Sequence, residues 1–330
     1  MKKTVLLLLL VCGFTYSVNA QKLEWNVNFQ GIGDNREFNP EYAKPQTILG
    51  ERTSFELGTS IDKEHTLRIG LSHFFEFGTD IDYNKPQLTA YYKYDNSKTQ
   101  FYMGAFPRYN LIDFPLAILS DTISYYQPNI EGILAQHNWN WGKQLIFVDW
   151  TGKQLTDQRE KFIAATSGRF NWKNFYFENY LMMYHYALMA AHDDTQHIID
   201  NTALNLNLGY DFSEHSFFNQ AYVEIGFLNS QYRERHVTDG FSSSTSFFST
   251  LFLEWRRLSL KNTLNLGGGH RLLTGDSYYQ ANDYMRTDLY LHLIDHKQVQ
   301  LSFNFSFHVA DWGTVDSQQQ LHLVYLLGNK

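Results

Sequence analysis

Several groupings of residues in this chain have the types and spacings that chemistry needs. His192, Asp193, Asp194 and His197 offer four imidazole or carboxylate donors within six residues, a set that suits zinc or manganese. A hydroxyl nucleophile and its base can share one face of a strand when they stand two residues apart, because alternate side chains point the same way. None of the thirteen histidines is followed by Ser at the second position, but the reverse order occurs twice, as Ser213 with His215 and Ser306 with His308. His270 follows Gly267-Gly268-Gly269, a hinge-like run with no helix behind it to cradle a phosphate. Arg52, Glu56, Arg68 and Glu76 place charges of both signs at even spacings. Loop solvation and polar lining account for all of these groupings. The reading is therefore no catalytic residue, no metal, no cofactor and no enzyme.

Composition narrows the classes further. The first twenty residues read as a secretory signal: Lys2 and Lys3, an apolar core over 5–11, and a small-residue exit at Val18-Asn19-Ala20 before Gln21. The single cysteine, Cys12, lies inside that stretch, so the mature chain 21–330 is expected to hold neither a disulfide framework nor a thiolate site. Formal net charge is −7, and −9 once Lys2 and Lys3 are removed, which excludes a basic nucleic-acid binder. After Ala20 no apolar run approaches the roughly 18 residues of a membrane helix.

The chain instead alternates. Leu23, Trp25, Val27 and Phe29 interleave with Glu24, Asn26, Asn28 and Gln30, and Leu301, Phe303, Phe305, Phe307 and Val309 interleave with Ser302, Asn304, Ser306 and His308. One face of each such strand is apolar and the other polar. Many strands run to ten residues or more, the length that crosses a bilayer, whereas strands of soluble domains are typically about 5–6. Short breaks such as Asp62-Lys63-Glu64 and Asn171-Trp172-Lys173 alternate with longer loops. The pattern predicts an all-β, transmembrane antiparallel barrel of about 16 strands in the cell outer membrane, with 14 or 18 as alternatives. Trp139, Trp141 and Trp172 fall at short breaks, where a periplasmic aromatic girdle is expected.

The longest connection, 107–129, holds Pro107, Pro115 and Pro128 and has an apolar middle from Leu111 to Leu119. Such a loop gains by packing into the nearest concavity, the lumen. Here the sequence resembles the Gram-negative porins, whose third extracellular loop folds inward between the fifth and sixth strands. The run Gly104-Ala105-Phe106-Pro107, the loop, then Asn129-Ile130-Glu131-Gly132 looks like the matching region of the phosphate- and polyphosphate-selective porins. In general style the chain is also similar to outer-membrane barrels of Bacteroidota. The resemblance implies a passive channel for small polar solutes. Arg108, Asp113, Asp121, Tyr125 and Tyr126 would form its constriction, with Arg52, Glu56, Arg68 and Glu76 lining the lumen. A ladder of basic residues is missing at this net charge, so phosphate selectivity is not implied. Expected partners are outer-membrane lipids and small solutes, with no nucleic acid; a homo-oligomer is compatible with this form. The competing readings are a barrel for surface assembly or adhesion and, third, a lipase- or protease-type barrel.

Overall fold

The computed structural model describes residues 23–80, 82–191 and 195–329. The expected signal segment and the His192-Asp193-Asp194 run lie outside the described residues. Sixteen antiparallel strands follow in chain order: β1 Leu23–Glu37, β2 Gln46–Ile61, β3 His65–Glu76, β4 Gln87–Asp95, β5 Thr99–Pro107, β6 Asn129–Trp139, β7 Gly142–Gly152 and β8 Lys161–Trp172. The second half is β9 Phe175–Tyr186, β10 Ile199–Asp211, β11 Gln220–Glu234, β12 Ser242–Trp255, β13 Leu258–Leu266, β14 Asp283–His296, β15 Val299–Ala310 and β16 Thr314–Gly328. Each strand pairs with its chain neighbours, and β1 closes on β16 over twelve residue pairs. No helix among the described residues is long and apolar enough to cross a membrane.

Alternation fixes what each face meets. On β3, Leu67, Ile69 and Leu71 are exposed on the outer wall while Thr66, Arg68 and Ser72 are buried toward the lumen. An apolar outside and a polar inside are stable only where lipid surrounds the wall. The tryptophans Trp139, Trp141 and Trp172 are exposed at the short-turn end, Trp139 stacking on Trp141. β1 runs on to Glu37, well past the alternation that ends at Gln30, and β16 begins at Thr314. These extensions form the extracellular rim, where both faces meet polar surroundings and the alternation fades.

Loop 108–128 enters the barrel as expected, and a second loop, 267–282, joins it there. Ser120 N–H donates to the Thr274 carbonyl and Asp276 N–H to the Leu116 carbonyl, both at 2.8 Å. Phe114, Ile118 and Leu119 of the first loop and Leu272, Tyr278 and Tyr279 of the second share one buried cluster with Phe106, Ile130 and Phe147 of the wall. Gly267 and Gly268 turn the second loop inward through positive φ values of 85° and 111°, which cost glycine little. The first loop leaves the wall near Gly104, where φ is 124° and a Cβ would lie 2.2 Å from the Ala90 carbonyl oxygen.

Candidate active site

Three strand ends at the extracellular rim bring a histidine, a carboxylate and an arginine into one row on the outer wall. Odd residues of β9 face outward, as exposed Phe177, Leu181 and Met183 show, so His185 does too. On β10 the buried Asn201, Asn205 and Asn207 face inward, which turns Asp200 outward. On β11 exposed Val223, Ile225 and Phe227 set the same parity for Arg233. Register then does the rest, for Asp200 stands opposite His185 on one side and opposite Arg233 on the other.

The contacts are close. His185 Nδ1 lies 3.1 Å from Asp200 Oδ1. Arg233 donates from Nη2 to Asp200 Oδ2 at 2.8 Å, and Arg235 donates to both carboxylate oxygens at 2.8 and 3.0 Å. Asp200 is nearly enclosed, whereas the Arg233 and Arg235 side chains retain 34% and 41% of their exposure and so can meet a further anion. Aromatic rings extend the row: Phe162 faces His185 at 5.1 Å, Trp150 stacks on Phe162 at 5.2 Å, and Arg233 lies over Phe241 at 4.5 Å. A carboxylate on Nδ1 fixes the imidazole tautomer and leaves Nε2 to act as a base. Two guanidiniums keep Asp200 ionised and aim positive charge at the same spot.

The groupings singled out in the sequence end elsewhere. Ser306 Oγ donates to Asp288, while His308 Nδ1 meets the Tyr284 hydroxyl at 2.7 Å, so the two do not pair. Ser213 donates from both its N–H and its Oγ to Asp211 Oδ1 in a turn. His270 is buried in the lumen between Ser230 and Ser246, 2.8 Å from each, so both ring nitrogens are occupied. Burial pushes its pKa down to about 4. Among the described residues no three His, Cys, Asp or Glu side chains gather to hold a metal ion.

Of the residues expected at a constriction, Arg108, Asp121, Tyr125 and Tyr126 tie the inserted loop to the wall. Arg108 is buried at its base, paired with Asp149 and donating to the Gln127 and Asn129 carbonyls. Asp121 pairs with Arg36 at 3.2 Å and accepts from Gln320 at 3.1 Å. Burial alone would raise the Asp121 carboxyl, but Arg36 and Arg286 outweigh it and hold the group below the usual carboxylate range. Tyr125 is buried and donates to Asp34, Tyr126 donates to Glu76 at 3.4 Å, and Asp113 stays exposed beside Phe114. Arg52, Glu56, Arg68 and Glu76 all lie on inward parity; Arg52 pins the loop through the Ser124 and Tyr125 carbonyls, and Arg68 pairs with Glu24. His185, Asp200 and Arg233 were missed. They are ionisable residues on the outward parity of adjoining strands, but that parity also carries Asn179, Thr202, Asn229 and Gln231, so polarity on it did not single them out.

A closed sixteen-strand transmembrane barrel of the outer-membrane type, with a histidine–carboxylate dyad on its outer wall, is the class these observations define. The chain belongs to the lipid A 3'-O-deacylase-type family, whose model matches residues 16–327. That finding overturns the expectation of a non-enzyme, because the family is named for a hydrolase, and it replaces the phosphate-porin resemblance. The sequence reading looked for Ser and His on one strand, whereas the His185–Asp200 contact joins two strands. No curated protein matches the chain. Solved structures of similar fold include a loop L8 deletion mutant of Vibrio cholerae OmpT (TM-score 0.56, 8% identity, covering 94% of this chain and 100% of that one). Pseudomonas aeruginosa OpdK (0.51, 10%, 93% and 99%) and Salmonella typhi OmpF (0.52, 11%, 93% and 98%) are others. At these identities the likeness concerns the fold alone.

Proposed function

We propose that this barrel is a hydrolase that removes an ester-linked acyl chain from a lipid of the outer leaflet, the chemistry of its family's name, with lipid A as substrate. The observation that carries the reading is the His185–Asp200 contact on the outer wall at the extracellular rim, the depth at which headgroup esters lie. His185 Nε2 takes a proton from water as the water oxygen bonds to the ester carbonyl carbon. The oxyanion that forms stands beside the Arg233 and Arg235 guanidiniums. Collapse breaks the bond to the alkoxy oxygen, which receives the proton from His185, releasing a fatty acid and an alcohol. Aromatic Trp150 and Phe162 suit the interface at which the lipid would be held.

The test is fatty-acid release from lipid A in vesicles carrying the purified protein, followed by mass spectrometry. His185→Gln should lower the rate by about 10²–10⁴-fold, the range for loss of a general base. Asp200→Asn should also lower it, and His270→Gln should not. A wild-type rate from His185→Gln removes the dyad from the mechanism.

A second reading, passive diffusion of small polar solutes through the lumen, is favoured by cavities of about 710 and 450 Å3 on either side of the inserted loop. Single-channel conductance tests it.

A further inference from the structure

The larger cavity, about 710 Å3, lies on the short-turn side of loop 108–128, between that loop and the inner faces of β15, β16 and β1 to β4, with Lys297 and His322 also on its wall. Buried polar atoms on its wall have no hydrogen-bond partner among the described residues. They are Arg52 Nε, Arg108 Nη1, Glu56 Oε1, Thr89 Oγ1 and Asn28 Oδ1. Arg52, Arg108 and Glu56 are each 4% exposed and Thr89 2%. Native interiors rarely leave such atoms unmatched, because each forfeits its hydration without return.

Charge sharpens the point. Arg108 has Asp149 as its counter-ion, but Arg52 has no carboxylate partner among the described residues, its two Nη groups meeting only the Ser124 and Tyr125 carbonyls. Carbonyls solvate a buried guanidinium and do not neutralise it. At the other end Glu56 and Thr89 converge over Gly70, where a Cβ would lie 2.8 Å from both Glu56 Cγ and Thr89 Oγ1. Arg52 and Glu56 stand four residues apart on β2, about 13 Å along the strand. The wall therefore presents an unneutralised cation at one end and hydrogen-bond acceptors at the other.

We propose that this cavity binds a small hydroxylated carboxylate from the periplasm, its carboxylate on Arg52 and Arg108 and its hydroxyls on Glu56, Thr89 and Asn28. The site lies inside the barrel, and the proposal does not depend on hydrolysis at the outer wall. Isothermal titration of the purified full-length protein with D-gluconate should show saturable binding. Glucose, which lacks the charge, and acetate, which lacks the hydroxyls, should bind at least tenfold more weakly. Arg52→Gln should abolish gluconate binding, and Arg52→Lys should retain part of it. Glu56→Gln and Thr89→Val should each weaken gluconate at least threefold while lipid deacylation and heat-modifiable gel migration stay as in wild type. No saturable signal from gluconate would mean that the cavity holds water only, and equal binding of glucose or full binding by Arg52→Gln would mean that no carboxylate is held on Arg52; any of the three overturns the proposal.

Discussion

His270 shows how much one lumenal side chain can be asked to do. Ser246 Oγ donates to Asn265, so its lone pair is left to accept from His270 Nε2–H, and Nδ1 then accepts from Ser230. The neutral tautomer is matched on both nitrogens, and protonation would force one serine to turn. The folded-state pKa of about 4 lies below the ordinary 6.5, so the unfolded segment takes up the proton first. Stability from this latch is thus complete above about pH 6.5, declines as pH falls, and is gone near pH 4. Thermal unfolding of the wild type should show this acid loss between those values, and His270→Gln should lack it. An unchanged profile in the variant would assign the loss to other groups. The same scale explains why the dyad escaped a motif search. His185 and Asp200 are fifteen residues apart in sequence and become neighbours only through strand register.

At the scale of the strand, parity decides what a substitution costs. Phe305 on β15 faces lipid, while Gln300 on the same strand faces the open lumenal cavity. Phe305→Arg should lower stability by about 2–4 kcal/mol if it lies near the bilayer midplane, whereas Gln300→Arg should change it little. Denaturant unfolding in vesicles measures both, and equal losses would contradict the assigned faces. Asn304 is a poorer control despite its inward parity, since it is buried in a network with Asp288, Ser306 and Gln320. Strand positions were readable because lipid outside and water inside impose a period of two on nearly every strand. The blurred ends were those beyond the bilayer, where no solvent contrast enforces alternation.

For the whole molecule, the two inward loops close the middle of the barrel by packing on each other as well as on the wall. Deleting 111–121 should join the two cavities and raise single-channel conductance in a planar bilayer. Unchanged conductance would show that loop 267–282 alone closes the lumen, or that solute never passes. Long alternating strands, an even strand count, and an apolar loop seeking a concave surface were determined by the sequence itself, because each follows from local periodicity and the demand that every backbone amide in lipid be paired. That 267–282 would join the plug was not, although Tyr278-Tyr279 hinted at it, since only the closed wall makes the concavity those rings fill. Only the tertiary structure decided where charges meet. Register between strands set His185 beside Asp200 and Arg233, and barrel closure left Arg52 without a counter-ion, because pairing across strands depends on alignments that one chain's spacing does not record.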